Sequence, residues 1–307
     1  MNDRPTRYRL VLIGSDASQA MSPPLWNPVF EALDNGWTYD SWDVPRGGEM
    51  AEVRDRLLAA EMVAANVTMP HKHWAAETAD SATDDVRRSG AANLLRSDGL
   101  RLTAHNTDIS AMTEILSDRY HRHALLLGAG GAGRAALVAL RGRVDLVSIA
   151  DQDPRSAEAL VTLASDLNME STAISWSDVE TRAPQASLIV NATPIGKSRD
   201  DGPAWGRATL APGAFVYDFV YARHTAAGIV SATEQGLESA DGWDHLRSQA
   251  AAMVPLLGLP PTTLGLLRQS LAGLRGAAWG LSTRPARRLL QPGRRDELDT
   301  SNLSVVS

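Results

Sequence analysis

The sequence predicts an α/β fold in two units, each built on a mostly parallel sheet, with a cleft between the units. Short apolar runs alternate with helical patterns through residues 1–108, and this alternation is typical of a sheet covered on both faces. A second alternating series begins near residue 109 and includes a glycine-rich turn at 128–133. The chain of 307 residues also has the length of two domains of about 150 residues each.

Periodicity predicts the elements of the first unit, residues 1–108. Apolar runs bounded by turn residues predict four strands, at 8–13, 37–44, 62–67 and 100–103. Helical spacing of apolar residues predicts two helices, at 23–33, with proline in its first turn, and at 49–61. Segment 245–280 is again helical in pattern, and we expect it to pack back on the first unit and complete it.

The second unit, residues 109–244, contains a G-x-G-x-x-G turn formed by Gly128, Gly130 and Gly133, between an apolar run and a helix-forming segment. The first glycine permits the turn, the second lets backbone N–H groups approach a pyrophosphate, and the third lets helix and strand pack closely. The helix N-terminus adds free donors and a partial positive charge. A plain strand-to-helix connection is the structural alternative.

A second observation favours dinucleotide binding by this turn. The next apolar run, 144–149, leads to Asp151, about 20 residues beyond the turn, where a carboxylate that binds the ribose hydroxyls is expected. Further strands at 186–191 and 214–220 predict a Rossmann-type, doubly wound parallel sheet. From 283 to 307, arginine, proline and small polar residues predict a disordered tail.

Composition excludes several classes of function. A formal net charge of −6 and a pI near 5.7 leave no basic surface for nucleic acid. Without cysteine, and with histidines that lack carboxylates at ligand spacing, no metal site is expected. No G-x-S-x-G motif indicates a hydrolase. No segment resembles a signal peptide or a membrane span, so we expect a cytoplasmic protein without membrane contact.

Polar loops after predicted strands supply candidate catalytic groups. Thr68 and Lys72 follow one strand of the first unit, and Asp108 follows its last strand. Because ligands bind at the carboxyl ends of parallel strands, Lys72 and Asp108 are expected to share the cleft as a proton-transfer pair. The alternatives are a solvated lysine at a helix start and an aspartate that caps a helix. Asn93 and Gln249 are further candidates, with a turn role and a surface position as alternatives.

The order of these motifs resembles the shikimate dehydrogenase family, which includes quinate dehydrogenases. The resemblance covers about residues 8–275 and rests on nine stretches, at 21–27, 66–72, 90–93, 106–108, 128–133, 191–196, 217–221, 241–242 and 249–251. Each stretch is unspecific, but their joint order is specific to the family. It implies reversible, nicotinamide-dependent interconversion of a ring ketone and a secondary alcohol on shikimate, quinate or a close analogue such as an aminoshikimate.

The resemblance also implies roles by position. Lys72 and Asp108 fall on the family's catalytic pair. Positions that hold the substrate's carboxylate and hydroxyls are Ser22, Thr68, Asn93, Tyr221 and Gln249. Positions implied for the dinucleotide are Gly128, Gly130, Gly131, Ala132, Gly133, Asp151, Asn191, Thr193 and Gly242. The lysine would stabilise and protonate the oxygen that gains negative charge, and the aspartate would orient the lysine.

Several positions depart from the family pattern. Ala20 stands where a serine normally gives a second hydroxyl to the substrate carboxylate, and Trp26 replaces a histidine. Losing a hydrogen bond to a carboxylate costs about 1.5–3 kcal/mol, so a modified substrate is expected, with a cyclitol that lacks the carboxylate as the alternative. Ile109 replaces a glycine, and Asp244 and His245 replace the second glycine and the methionine of the Gly-x-Gly-Met stretch that lines the nicotinamide.

NAD is the expected cofactor, with NADP disfavoured. Members that use NADP carry Asn-Arg-Thr after the second strand of the unit, whereas this chain has Asp151, Gln152 and Asp153, whose two carboxylates would repel a 2′-phosphate.

A noncatalytic dinucleotide-binding sensor is the alternative from another class, and the presence of both Lys72 and Asp108 disfavours it. We expect a monomer or a homodimer.

Overall fold

The computed structural model describes residues 8–59, 61–222 and 224–278 and shows two six-stranded sheets. The first sheet consists of β1 (Arg9–Gly14), β2 (Thr38–Asp43), β3 (Met62–Val67), β4 (Ser81–Ala82), β5 (Leu94–Ser97) and β6 (Leu102–His105), in the order β2-β1-β3-β5-β6-β4. Strand β5 is antiparallel to both β3 and β6, so this sheet is mixed. The strands predicted at 8–13, 37–44 and 62–67 are confirmed, and β6 begins two residues later than predicted.

Five helices accompany the first sheet: α1 (Ser22–Leu33), α2 (Met50–Leu57), α3 (Lys72–Thr78), α4 (Asp84–Ser89) and α5 (Thr107–Ile115). Helix α2 is shorter than the predicted 49–61 because the chain turns after Leu57 to enter β3. Successive side chains of β1 point to opposite faces of the sheet. Leu10 and Leu12 therefore join one apolar cluster, while Val11 and Ile13 join the other.

The second sheet confirms the Rossmann-type, doubly wound prediction. Its strands are β7 (His121–Leu127), β8 (Val144–Ala150), β9 (Glu170–Ala173), β10 (Leu188–Asn191), β11 (Phe215–Asp218) and β12 (Glu238–Ala240), all parallel, in the order β12-β11-β10-β7-β8-β9. Helices α6 (Gly131–Leu140), α7 (Pro154–Asp166), α8 (Val179–Arg182) and α9 (Ala227–Glu234) connect these strands. The strand order reverses between β7 and β10, which places a crevice at their carboxyl ends.

The last two helices, α10 (Gly242–Leu256) and α11 (Thr263–Ala278), return to the first sheet. Leu246 and Met253 of α10 and Leu267 of α11 lie in the same apolar cluster as Leu10 of β1. Helix α10 also packs along α5, which connects the two sheets. Domain boundaries at 108/109 and 244/245 stay a prediction, and the predicted tail, 283–307, lies outside the described residues. No helix within those described ranges is long and apolar enough to cross a membrane.

Candidate active site

The ammonium of Lys72 and the carboxylate of Asp108 meet between the two sheets. Lys72 opens α3, and Asp108 lies in the first turn of α5. Lys72 Nζ donates to Asp108 Oδ2 at 2.7 Å, and the two side chains are 16% and 3% exposed. The lysine is therefore mostly buried and is not a solvated surface residue. The side chain that caps α5 is Asn106, which accepts from the N–H groups of residues 108 and 109, so Asp108 is free for another role.

The surroundings of Asp108 keep it ionised. Gln249 Nε2 donates to Asp108 Oδ1 at 2.6 Å, and His245 Nε2 lies 3.1 Å from the same oxygen. Burial by itself raises the pKa of Asp108, but the Lys72 ammonium and the hydrogen bond with His245 outweigh burial and lower that pKa well below its ordinary value. The carboxylate is therefore an anion at neutral pH and holds the ammonium in place.

A hydrogen-bonded cluster of polar groups extends from this pair toward α1. Asn93 is bound through both ends of its amide to Thr107: its Nδ2 donates to Thr107 Oγ1 at 3.0 Å, and its Oδ1 accepts from Thr107 N at 2.7 Å. Asn66 Nδ2 donates to Asn93 O at 3.2 Å, and Asn66 Oδ1 accepts from the Tyr39 hydroxyl at 2.5 Å. Ser22, at the start of α1, hydrogen-bonds that hydroxyl. The cluster thus connects two predicted substrate positions, 22 and 93.

Thr68 and Tyr221, also predicted to contact substrate, border the same region. Thr68 follows β3 and packs tightly on Gly14, where an added Cβ would lie 2.3 Å from Thr68 Cγ2. Tyr221 follows β11, and its ring centroid lies 5.8 Å from that of Trp243 on α10. Burial raises the pKa of the Tyr221 hydroxyl. Both hydroxyls are therefore neutral groups that donate well to a ligand carboxylate.

The glycine turn between β7 and α6 has the shape that a pyrophosphate requires. Gly128 has a φ of +95°, and a Cβ at Gly133 would lie 2.0 Å from Gly128 O, so both positions need glycine. No atom lies within 4 Å of a Cβ built on Gly130, so the space beside the turn is open. A Cβ on Gly131 would lie 3.0 Å from Lys72 Cδ. The turn therefore fits a dinucleotide and lies against the catalytic candidate.

The remaining positions predicted for the dinucleotide lie at the end of β10, in the loop after it and at the starts of α6 and α10. Asn191 ends β10; its Oδ1 accepts from Thr193 N and Oγ1, and its Nδ2 donates to Asp218. Asn191 therefore shapes the loop that carries Thr193. Gly242 opens α10 so close to the chain after β11 that a Cβ would lie 2.5 Å from a backbone carbon. Ala132 lies in the first turn of α6.

Three departures from the family pattern have structural roles in this chain. Trp26 is 1% exposed and stacks on Phe30 in the core, with ring centroids 5.4 Å apart. Ile109 lies in the apolar core of the second sheet. Asp244 forms a capping box with Asp241 at the start of α10, in which each carboxylate accepts from the other residue's N–H. Core packing and helix capping account for these side chains.

His245 is the site residue whose role the sequence did not indicate. It lies one turn before Gln249 on α10, and the i, i+4 spacing places both on the helix face toward Asp108. Its Nδ1 is 2.6 Å from the Tyr217 hydroxyl on β11. The i, i+4 spacing of His245 and Gln249 is the sequence signal that could have identified His245 as a site residue. In the part of the chain that the structure describes, no group of three or more acidic or histidine side chains could hold a metal ion.

The fold and the site together define an NAD(P)-dependent alcohol dehydrogenase, and comparisons with known proteins agree. A profile of the shikimate dehydrogenase substrate binding domain matches residues 12–95. The NADP(+) shikimate dehydrogenase of Salinibacter ruber is 30% identical over 259 residues, which cover 80% of this chain and 90% of that protein. The NADP(+) shikimate dehydrogenase of Rhodopseudomonas palustris is 34% identical over 255 residues, which cover 80% of this chain and 88% of that protein. Shikimate 5-dehydrogenase of Thermus thermophilus, in complex with NADP(H) and shikimate, has a TM-score of 0.71 at 26% identity, over 86% of this chain and 99% of that one. The chain belongs to the shikimate dehydrogenase family.

The predicted preference for NAD over NADP is wrong. The curated relatives are named for NADP(+), and the Thermus thermophilus structure holds NADP(H). The prediction rested on repulsion of a 2′-phosphate by Asp151 and Asp153 and on ribose binding by Asp151, but Asp151 Oδ2 accepts from Ala129 N at 2.7 Å and its Oδ1 from Asp153 N at 2.9 Å. Asp151 therefore ties the glycine turn to the loop after β8, and this structural role explains the carboxylate without a ribose hydroxyl.

Proposed function

We propose that this chain interconverts a ring ketone and a secondary alcohol on shikimate or a close ring acid, such as quinate or an amino analogue, with a nicotinamide dinucleotide as cofactor. The names of the curated relatives support NADP. The observation that supports the proposal most is the buried Lys72–Asp108 pair, with the Lys72 side chain packed beside Gly131 of the glycine turn. In this proposal, residues 1–108 with 245–280 hold the substrate and 109–244 hold the dinucleotide, in a monomer or a homodimer.

Lys72 is the proton donor and acceptor of the proposed reaction. In reduction, Nζ gives a proton to the oxygen that gains negative charge, and in oxidation the neutral amine takes the hydroxyl proton. Asp108 fixes Nζ and accepts from a neighbouring ring hydroxyl, because Oδ2 has a lone pair beyond the one used by the lysine. The bound dinucleotide supplies the hydride in reduction and accepts it in oxidation.

The other polar groups of the site bind and orient the ring. Ser22, Thr68 and Tyr221 are the hydroxyl donors proposed for the ring carboxylate, while Asn93 and Gln249 serve the ring hydroxyls. The dinucleotide is held by the turn at 128–133, with the residues after β8 and β10 and the start of α10 around it. The start of α6 has no side-chain cap at Gly130, where the space beside the backbone is open, so its first N–H groups are the donors proposed for the pyrophosphate.

Turnover with NADP(+) across a panel of ring acids and uncharged cyclitols tests the proposal. We expect oxidation of shikimate or a related ring acid, and a loss of about 10²–10⁴-fold in kcat for Lys72→Met with dinucleotide affinity retained. Turnover of uncharged cyclitols alone would show that the ring carboxylate is not recognised. A wild-type protein that binds the dinucleotide and oxidises nothing on the panel would contradict the proposed reaction.

A further inference from the structure

His245 and Tyr217 extend the hydrogen bonds of Asp108 into the second sheet. His245 Nε2 is 3.1 Å from Asp108 Oδ1, and Nδ1 is 2.6 Å from the Tyr217 hydroxyl. His245 is 7% exposed and Tyr217 is fully buried. The ring of Phe219 lies beside the imidazole, with centroids 4.5 Å apart. Contacts at both nitrogens and with a neighbouring ring therefore fix the imidazole.

The charge on Asp108 determines which nitrogen of His245 carries the proton. Asp108 has a pKa well below the ordinary range, so its carboxylate accepts hydrogen bonds and does not donate. The hydrogen must therefore lie on Nε2. Nδ1 contacts the Tyr217 hydroxyl, which stays protonated because burial raises its pKa. A protonated hydroxyl can donate to Nδ1 when Nε2 carries the hydrogen, so Tyr217 favours the tautomer that donates to Asp108.

A donor at this position weakens the hold of Asp108 on the lysine proton. A hydrogen bond to Oδ1 withdraws negative charge from the carboxylate, so its attraction for the Lys72 ammonium at Oδ2 decreases. Gln249 donates to the same oxygen, but its amide is also proposed for a ring hydroxyl and can leave Asp108 when substrate binds. His245 is buried and is not proposed to bind the substrate. The methionine of the family pattern has no N–H group to donate.

We propose that His245 is a positioning residue that donates to Asp108 Oδ1 and so weakens the attraction of the carboxylate for the Lys72 ammonium at Oδ2. The inference rests on the proposed function of the Lys72–Asp108 pair and adds to that pair a donor specific to this chain.

The titratable groups near His245 come from three elements. Asp108 faces it from α5, Tyr217 from β11, and Asp244 lies beside it on α10. Glu114 of α5 acts on Tyr217 through space, as Asp108 and Asp244 do. All of these groups except the tyrosine are carboxylates, so the N–H of His245 lies in a region of negative potential. His245 acts on Lys72 through Asp108, which contacts both side chains.

The lysine content of the chain permits a direct measurement. Lys72 and Lys197 are the only two lysines in the sequence, and Lys197 is exposed in a loop. Protein labelled with carbon-13 at lysine Cε therefore gives two NMR signals, one for each residue. We expect the titration midpoint of the Lys72 signal to move to higher pH by about half a unit in His245→Met. In His245→Gln, which keeps an N–H the same number of bonds from Cβ, the midpoint returns to the wild-type value.

Steady-state kinetics give a second measurement of the same effect. The limb of kcat that rises with pH in alcohol oxidation should move with the Lys72 titration in His245→Met, with KM for the ring acid little changed. Tyr217→Phe should shift both in the same direction by less, since Asp108 still favours a hydrogen on Nε2 while Nδ1 loses the hydroxyl that supports this tautomer. His123→Gln is the matched control: its imidazole, on β7, contacts Ser148 and Gln185 away from the site.

Three outcomes separate this inference from the proposed function. Equal Lys72 midpoints in wild type, His245→Met and Tyr217→Phe, with thermal unfolding showing that the variants are folded, would overturn the role of His245. Failure of His245→Gln to restore the midpoint would do so as well. Because the NMR titration requires no turnover, a wild type that oxidises no ring acid while these midpoints shift as expected contradicts the proposed reaction and supports the effect of His245 on the lysine.

Discussion

Removal of either member of the Lys72–Asp108 pair is expected to reduce folding stability, and by unequal amounts. Lys72→Met leaves a carboxylate on a side chain that is 3% exposed and removes the ammonium that paired with it. Asp108→Asn instead leaves an ammonium on a side chain that is 16% exposed. A buried charge that loses its partner costs about 3–5 kcal/mol, because its desolvation remains while the attraction is lost.

The hydrogen bonds that remain set the size of each effect. In Lys72→Met, Asp108 keeps the donors of Gln249 and His245, and a hydrogen bond to a charged group is worth about 1.5–3 kcal/mol. We therefore expect the lower end of the range, about 3 kcal/mol. In Asp108→Asn, the ammonium on its flexible stem turns to water in the cleft, so the cost is about 1 kcal/mol.

Urea unfolding at pH 7 measures both variants, with Lys197→Met as the control for loss of an exposed lysine. In the wild type, the depressed pKa of Asp108 contributes stability that is present above the ordinary carboxyl range and is lost as pH falls below it. In Lys72→Met, only the hydrogen bonds from Gln249 and His245 oppose burial, so the pKa of Asp108 is higher than in the wild type and the deficit shrinks as pH falls from 7 toward about 4. A cost below about 1 kcal/mol for Lys72→Met, or a larger cost for Asp108→Asn, would refute the reasoning.

Three further predictions concern the cofactor turn, the carboxylate site and a buried acid. Gly133→Ala should weaken dinucleotide binding by about tenfold or more, because the added Cβ would lie 2.0 Å from Gly128 O; calorimetric titration that finds unchanged affinity contradicts this. Ala20→Ser should lower KM for a ring acid about tenfold by restoring a hydroxyl donor, with no change for an uncharged cyclitol in the same kinetic assay. Burial raises the pKa of Asp218 to about 7, so wild-type stability should fall as pH rises from about 4 to 7. Asp218→Asn should remove most of that fall in urea unfolding, and an equal slope in both proteins would show that Asp218 is not its source.

Strands in the interior of the sheets were predictable, while short strands at the sheet edges were not. Residues 124–127 of β7 and 188–190 of β10 are buried on both faces of the sheet and therefore read as apolar runs. Strands β9 and β12 lie at the two ends of the second sheet and contain mostly polar or exposed residues, so no pattern marked them. The antiparallel direction of β5 depends on pairing with β3 and β6 and has no local sequence signal.

The sequence by itself determined the α/β class, the glycine turn and the identity of the lysine and aspartate, because backbone angles and strand-end positions depend on residues close together in the chain. Only the tertiary structure decided what the polar side chains bind. Asp151 bonds the backbone 22 residues earlier, and His245 meets an aspartate 137 residues away. A side chain's hydrogen-bond partners are set by which elements pack together, and for these two residues those elements are distant in the sequence.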